Sequence, residues 1–239
     1  MNNFEKHTSK TFDEGLDRVS SWFLEMGALA ASQIAGSIDA LVKYDVEAAN
    51  EIMEQDRTIN ELERQIDEQL VLLVATRQPT AVDLRFIINM SKGVVDLERI
   101  GDEATKIARM ARHFKNRDEW LVERLVECQS LGEQVQMMVT DAMDAFANND
   151  ANLAFDVMQT DALIDKQYQA SIRLLKQNKD IDTADVIDLI WVLRAIERIG
   201  DHARNLAELV IYTGSGTNVR HVPYDRVQEA VDIASTPKL

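Results

Sequence analysis

The chain has 239 residues, 46% of them hydrophobic and 28% charged, which is enough apolar content for a substantial core and rules against global disorder. Lys and Arg number 26 against 41 Asp and Glu, a net charge of −15, which argues against nucleic acid and anionic membrane surfaces as partners and suits cations or basic proteins. The longest apolar run, Leu70 to Ala75, is too short to span a bilayer as a helix, so no direct membrane insertion is expected.

Cys128 is the single cysteine, so no intramolecular disulfide can form. The segment from Met1 to Gly15 lacks the apolar stretch of a signal peptide. Together these predict a cytoplasmic protein. Pro79, Pro223 and Pro237 are the only prolines, and such long Pro-free stretches predict an all-α fold with long helices.

Six helices are expected in chain order. The first runs from about Thr11 to Tyr44, with an apolar stripe through Val19, Trp22, Met26, Leu29, Ile34, Ile38 and Leu41. Asp45 is a candidate N-cap for the second, which carries Ile52, Ile59, Leu62, Ile66, Leu70 and Leu73 and stops before Pro79. Thr80 and Asp83 have capping-box spacing, with Asp in place of Glu or Gln, and open the third helix, which runs to about Phe114. The fourth spans about Asp118 to Asn149, and the fifth follows Asp150 and ends near Asn178. Asp182 and Asp185 cap the sixth, and glycine at 214 or 216 provides its left-handed end. The remainder, 217–239, contains two of the prolines and is expected to be poorly ordered.

The six helices form two copies of one unit. A shift of 105 residues pairs Gly27 with Gly132, Asp45 with Asp150, Asp56 with Asp161 and Ile59 with Ile164. A shift of 99 pairs Glu98-Arg-Ile-Gly-Asp102 with Glu197-Arg-Ile-Gly-Asp201. Over about 28,000 position pairs, chance supplies an identical five-residue match roughly 0.02 times, so duplication is the better account. The expected architecture is two pseudo-symmetric three-helix bundles, 1–116 and 117–216, with antiparallel helices and short connections.

The repeat also carries the chemistry. Glu98 and Asp102 are four apart on one helix, as are Glu197 and Asp201, so each pair lies on one side, one turn apart. Asp56 with Asn60, and Asp161 with Asp165, have the same spacing on the preceding helices. Such oxygen donors on neighbouring helices suit a hard cation. The alternative reading is ordinary ion pairing with neighbours such as Arg99 and Lys106. Chance alone gives roughly seven acid pairs at this spacing, so the signal is their repetition. Glu63 with Asp67 reads as solvated helix charge. No Glu-x-x-His motif, nucleophile elbow or phosphate loop is present, so no catalytic residue is assigned. Gly101 and Gly200, costly inside helices, predict close helix approach. His202 reads as a surface or capping residue. Cys128, Trp22, Trp120 and Trp191 read as core packing.

These segments resemble a known family. Asp96-Leu-Glu-Arg-Ile-Gly-Asp102, Ile196-Glu-Arg-Ile-Gly-Asp-His-Ala-Arg-Asn-Leu-Ala-Glu208 and Arg77-Gln-Pro-Thr-Ala-Val-Asp-Leu-Arg85 are similar to the signature segments of the PhoU family. The resemblance covers about residues 5 to 222. It implies two three-helix bundles and a cytoplasmic, non-enzymatic, dimeric regulator of phosphate uptake. Such a regulator couples the ATPase subunit of the phosphate ABC importer to a phosphate-sensing histidine kinase and keeps the phosphate-starvation regulon off when phosphate is plentiful. It also implies divalent or multinuclear metal (Fe, Zn, Mn or Mg) at Asp56, Glu98 and Asp102 and at Asp161, Asp165, Glu197 and Asp201. Asn60 departs from the acidic pattern in the first unit, so the fuller donor set is expected in the second. A metal-dependent carboxylate-bundle enzyme and a purely structural helical scaffold are the competing readings.

Overall fold

The computed structural model describes residues 10–77, 79–114, 119–177 and 182–236. Its helices are α1 (Lys10–Lys43), α2 (Val46–Arg77), α3 (Ala81–Met110), α4 (Glu119–Asn148), α5 (Ala151–Gln177), α6 (Thr183–Ser215) and α7 (Tyr224–Ser235). The first six match the sequence expectation closely. The expected start of α4 at Asp118 and the expected end of α5 at Asn178 lie outside the described residues.

Local chemistry fixes the helix ends. Asp45 Oδ1 accepts from the backbone N–H groups of Glu47 and Ala48, both at 3.0 Å. Asp150, its match in the repeat, does the same for Asn152 at 3.0 Å and Leu153 at 3.1 Å. The residues before them, Tyr44 and Asn149, both adopt positive φ, 58° and 52°. The backbone N–H groups of Asp45 and Asp150 donate to Ala40 and Ala145, each at 2.9 Å. The α1–α2 and α4–α5 corners are thus one turn built twice. Asp83 Oδ2 accepts from both the backbone N–H of Thr80, at 3.2 Å, and its hydroxyl, at 2.6 Å. The side chain of Asp182 caps Ala184 at 2.9 Å, and Gly216, at φ 78°, ends α6 in the left-handed region.

Helices α1, α2 and α3 pack on one another, as do α4, α5 and α6. The two units then join through α1 against α4 and α3 against α6, which leaves α2 and α5 on the outside. One continuous core runs through both units, from Leu16, Met26 and Ile34 to Val135, Leu193 and Ile199. Cys128 is packed within it, and burial pushes its thiol up to about 12. Trp191 departs from expectation, being 61% exposed, while Trp22 and Trp120 lie at the margin of the core.

The C-terminal segment is the main correction to the fold. The expectation of a poorly ordered tail from residue 217 does not hold, because α7 packs on α5 and α6. Val227, Ala230 and Val231, at helical spacing, bury one face, and Tyr224 Oη donates to the carbonyl of Met158 at 3.0 Å. Val227→Ala is expected to cost about 1–2 kcal/mol, the usual result of deleting buried methyls. Urea unfolding that matches the parent would show that α7 adds nothing to the core.

Candidate functional site

The carboxylates singled out in the sequence gather on two matched faces. In the first unit, Asp56 on α2 faces Glu98 and Asp102 on α3. Burial, then the charge of Asp102, raises the carboxyl of Asp56 above its ordinary range. Burial also raises Glu98, followed by the charges of Asp102, Glu63 and Asp56. Glu63 therefore belongs to this array and is not a merely solvated charge. Its own carboxyl is raised by burial, then by Asp67. Asp56 Oδ2 accepts from the Asn60 side chain at 3.3 Å, and hydrogen bonds from Asn60 and Gln33 oppose the rise of its carboxyl.

In the second unit Asp161 on α5 is buried, and desolvation, opposed by Arg204, pushes its carboxyl up to about 6. Arg204 Nη1 donates to Asp161 Oδ2 at 3.2 Å. Glu197 is raised by burial and then by Asp201, with Asp165 and Asp161 behind. Its Oε1 accepts from Arg194 at 2.6 Å, and its Oε2 is buried and unpartnered. Asp201 presents an open edge to solvent, yet its carboxyl is raised by desolvation of its inner face and then by Asp165.

The repeated glycines face these acids at different clearances. A Cβ at Gly101 would sit 3.1 Å from both Asp56 Oδ1 and Gln33 Oε1. At Gly200 it would sit 3.5 Å from Asp161 Oδ1. Gly101 thus leaves room for the acid of the neighbouring helix, whereas a methyl at Gly200 would make only ordinary contact, so the close approach expected there is not what requires the second glycine.

Oxygen donors suit a hard cation, but the arrangement does not form a coordination shell. Among the described residues, no group of three or more His, Cys, Asp or Glu side chains could hold a metal ion. Three of the seven expected ligands are instead ion-paired with arginine, Asp161 with Arg204, Glu197 with Arg194 and Glu98 with Arg99. The residues as placed do not fit the expected metal.

A polar link between the units was not legible in the sequence. His202 Nδ1 lies 2.8 Å from Asp96 Oδ1, and Asn205 Nδ2 donates to the same oxygen at 3.0 Å. Arg198 reaches Glu103 at 3.0 Å, and Lys106 binds the same carboxylate at 3.0 Å. His202 is therefore an inter-unit contact and not a surface cap.

Residues 23–111 and 129–210 match the PhoU domain, one match on each three-helix unit. The chain belongs to the PhoU family. A PhoU homolog of Pseudomonas aeruginosa, named as a phosphate-specific transport system accessory protein, is 46% identical over 95% of this chain and 94% of its own. PhoU of Escherichia coli, also named as a phosphate-specific transport system accessory protein, is 35% identical over 95% of each chain. The crystal structure of PhoU from Pseudomonas aeruginosa superposes with a TM-score of 0.80 at 46% identity, covering 86% of this chain and all of that one. The phosphate transport system regulatory protein PhoU from Streptococcus pneumoniae gives the same TM-score at 26% identity, covering 87% and 99%. Among the described residues no helix is long and apolar enough to cross a membrane.

Proposed function

We propose that this chain is a non-enzymatic, cytoplasmic accessory protein of phosphate-specific transport. It couples the ATPase subunit of the phosphate ABC importer to a phosphate-sensing histidine kinase. In high phosphate it limits uptake and holds the phosphate regulon off. The observation that carries this reading is 46% identity, end to end, with a relative named as such an accessory protein. The paired helical units support it as well. They offer exposed apolar residues for protein contacts, including Val71, Leu72 and Ile88 on the first unit and Ile187, Ile190 and Trp191 on the second. The working form is a homodimer, and the reading calls for no bound metal.

Deletion of the gene is expected to leave a phosphate-regulated reporter expressed in high phosphate, and a plasmid copy to silence it again. Affinity capture from membranes is expected to recover the importer ATPase or the kinase. A deletion strain with normal repression would sink the proposal.

A further inference from the structure

We infer that the guanidinium of Arg204 is the resident cation of the second carboxylate array and closes that unit to divalent metal ions. The array otherwise has the fuller set of acids, so the closure reverses what residue count alone implies.

The comparison between repeats carries the case. Under the 99-residue shift that matches the two five-residue segments, Arg204 falls on Thr105 and Glu208 falls on Arg109. The two units keep their facing acids but differ one turn further along the helix. In the second unit Arg204 is clamped from two sides. Its Nη1 donates to Asp161 Oδ2 at 3.2 Å and its Nε to Glu208 Oε1 at 3.2 Å. Glu208 is buried, and its other oxygen lies 3.6 Å from Arg220 Nε on the loop that leads to α7. Glu208 is thus a positioning residue that holds the guanidinium over Asp161. Arg194 occupies Glu197 in the same way, at 2.6 Å.

The first unit shows what the site looks like without the arginine. Thr105 is buried, and its Oγ1 has no protein partner. The buried amide of Gln33, 1% exposed, lies beside Asp56 and, with Asn60, offsets part of the rise in its carboxyl by hydrogen bonding. Asp56 is thus served by the neutral amides of Asn60 and Gln33, whereas Asp161 is served by an internal cation. A divalent ion entering the second array would meet the charge of Arg204 at close range. To coordinate Asp161 it would have to displace a guanidinium already paired with two buried carboxylates, and breaking such a pair is costly.

The test uses the full chain and Mn²⁺ as the probe, followed by calorimetric titration and by thermal unfolding. Any Mn²⁺ binding by the parent is expected to be unchanged in Asp161→Asn. Arg204→Thr, which copies the first unit, is expected to bind Mn²⁺ at least about tenfold more tightly and to gain Mn²⁺-dependent stability. Adding Asp161→Asn to it is expected to abolish that gain. Arg204→Gln keeps a donor toward Asp161 without the charge, and serves if the threonine variant does not fold. Parent binding that Asp161→Asn abolishes, or a folded Arg204 variant with no gain, overturns the proposal.

Discussion

Lowering the pH from about 7.5 to about 5 is expected to raise the stability of this protein, against the common trend for acidic proteins. The cause is the direction of its carboxylate shifts. Asp56, Glu98, Asp161, Glu197, Asp201 and Glu208 are all raised, each by burial first. A carboxyl raised in the folded state binds more protons there than in the unfolded chain, so stability falls as pH rises between the two values. Below the ordinary value both states are protonated and the penalty vanishes; above the folded value it is complete. For Asp161 the window runs from 3.8 to about 6. At about 1.4 kcal/mol per pH unit, that one buried group accounts for on the order of 3 kcal/mol. Lowering the pH only to about 5 recovers the part between about 6 and 5, about 1.4 kcal/mol, which for a chain of this length corresponds to roughly 3–6 °C in the melting midpoint. Relief of self-repulsion from the −15 net charge acts in the same direction. Glu61, lowered by its hydrogen bonds to Arg64, acts in the opposite direction, but only at lower pH and on an open surface. Thermal scans across this range test the prediction, and Asp161→Asn is expected to flatten the profile between about pH 4 and pH 6. A midpoint that declines steadily from neutral to acid pH would show that these acids are not buried against one another.

Much of this could be read from the chain because it is written in local chemistry. The corners at Asp45 and Asp150, the capping pair Thr80 and Asp83, and the glycine end of α6 each depend on residues within a few positions. The convergence of Asp56 with Glu98 and Asp102 followed from duplication, since a repeat keeps facing positions in step. What escaped depends on contacts between units or on short signals. Helix α7 rests on three apolar residues, Val227, Ala230 and Val231, too few to stand out beside proline. Asp96 and His202 are 106 residues apart and meet only because α3 crosses α6. Trp191 reads as core by residue type, yet the repeat carries the correction: the 99-residue shift pairs it with Lys92, a surface residue. The same shift pairs Arg204 with Thr105, a difference whose meaning depends on the distance to Asp161.

Replacing Gly132 with leucine is expected to destabilise the fold by about 3–4 kcal/mol, because the α1–α4 contact has no room for a side chain there. A Cβ at Gly132 would lie 2.5 Å from Ile38 Cδ1 and 2.6 Å from its Cγ1. At Gly27 on the facing helix it would lie 2.6 Å from Met143 Cε and 2.7 Å from its Cγ. The 105-residue shift pairs Gly27 with Gly132 and also Ile38 with Met143. The interface is therefore one glycine-into-side-chain contact made twice about the pseudo-symmetry axis, and it sets how closely the two units approach. The two halves differ in compliance. Ile38 is β-branched and stiff at χ1, whereas Met143 is unbranched and can reroute its thioether. Gly27→Leu is accordingly expected to cost less than Gly132→Leu. Alanine at 132 regains about 1 kcal/mol of helix propensity, which offsets part of its clash. Ile38→Ala combined with Gly132→Leu is expected to recover part of the loss, because it vacates the volume the new side chain needs, and urea midpoints of the four proteins measure that coupling. Additive losses, with no recovery in the double variant, would mean that Gly132 does not meet Ile38 across the axis. The joining of the two units would then have to rest on the α3–α6 contact instead.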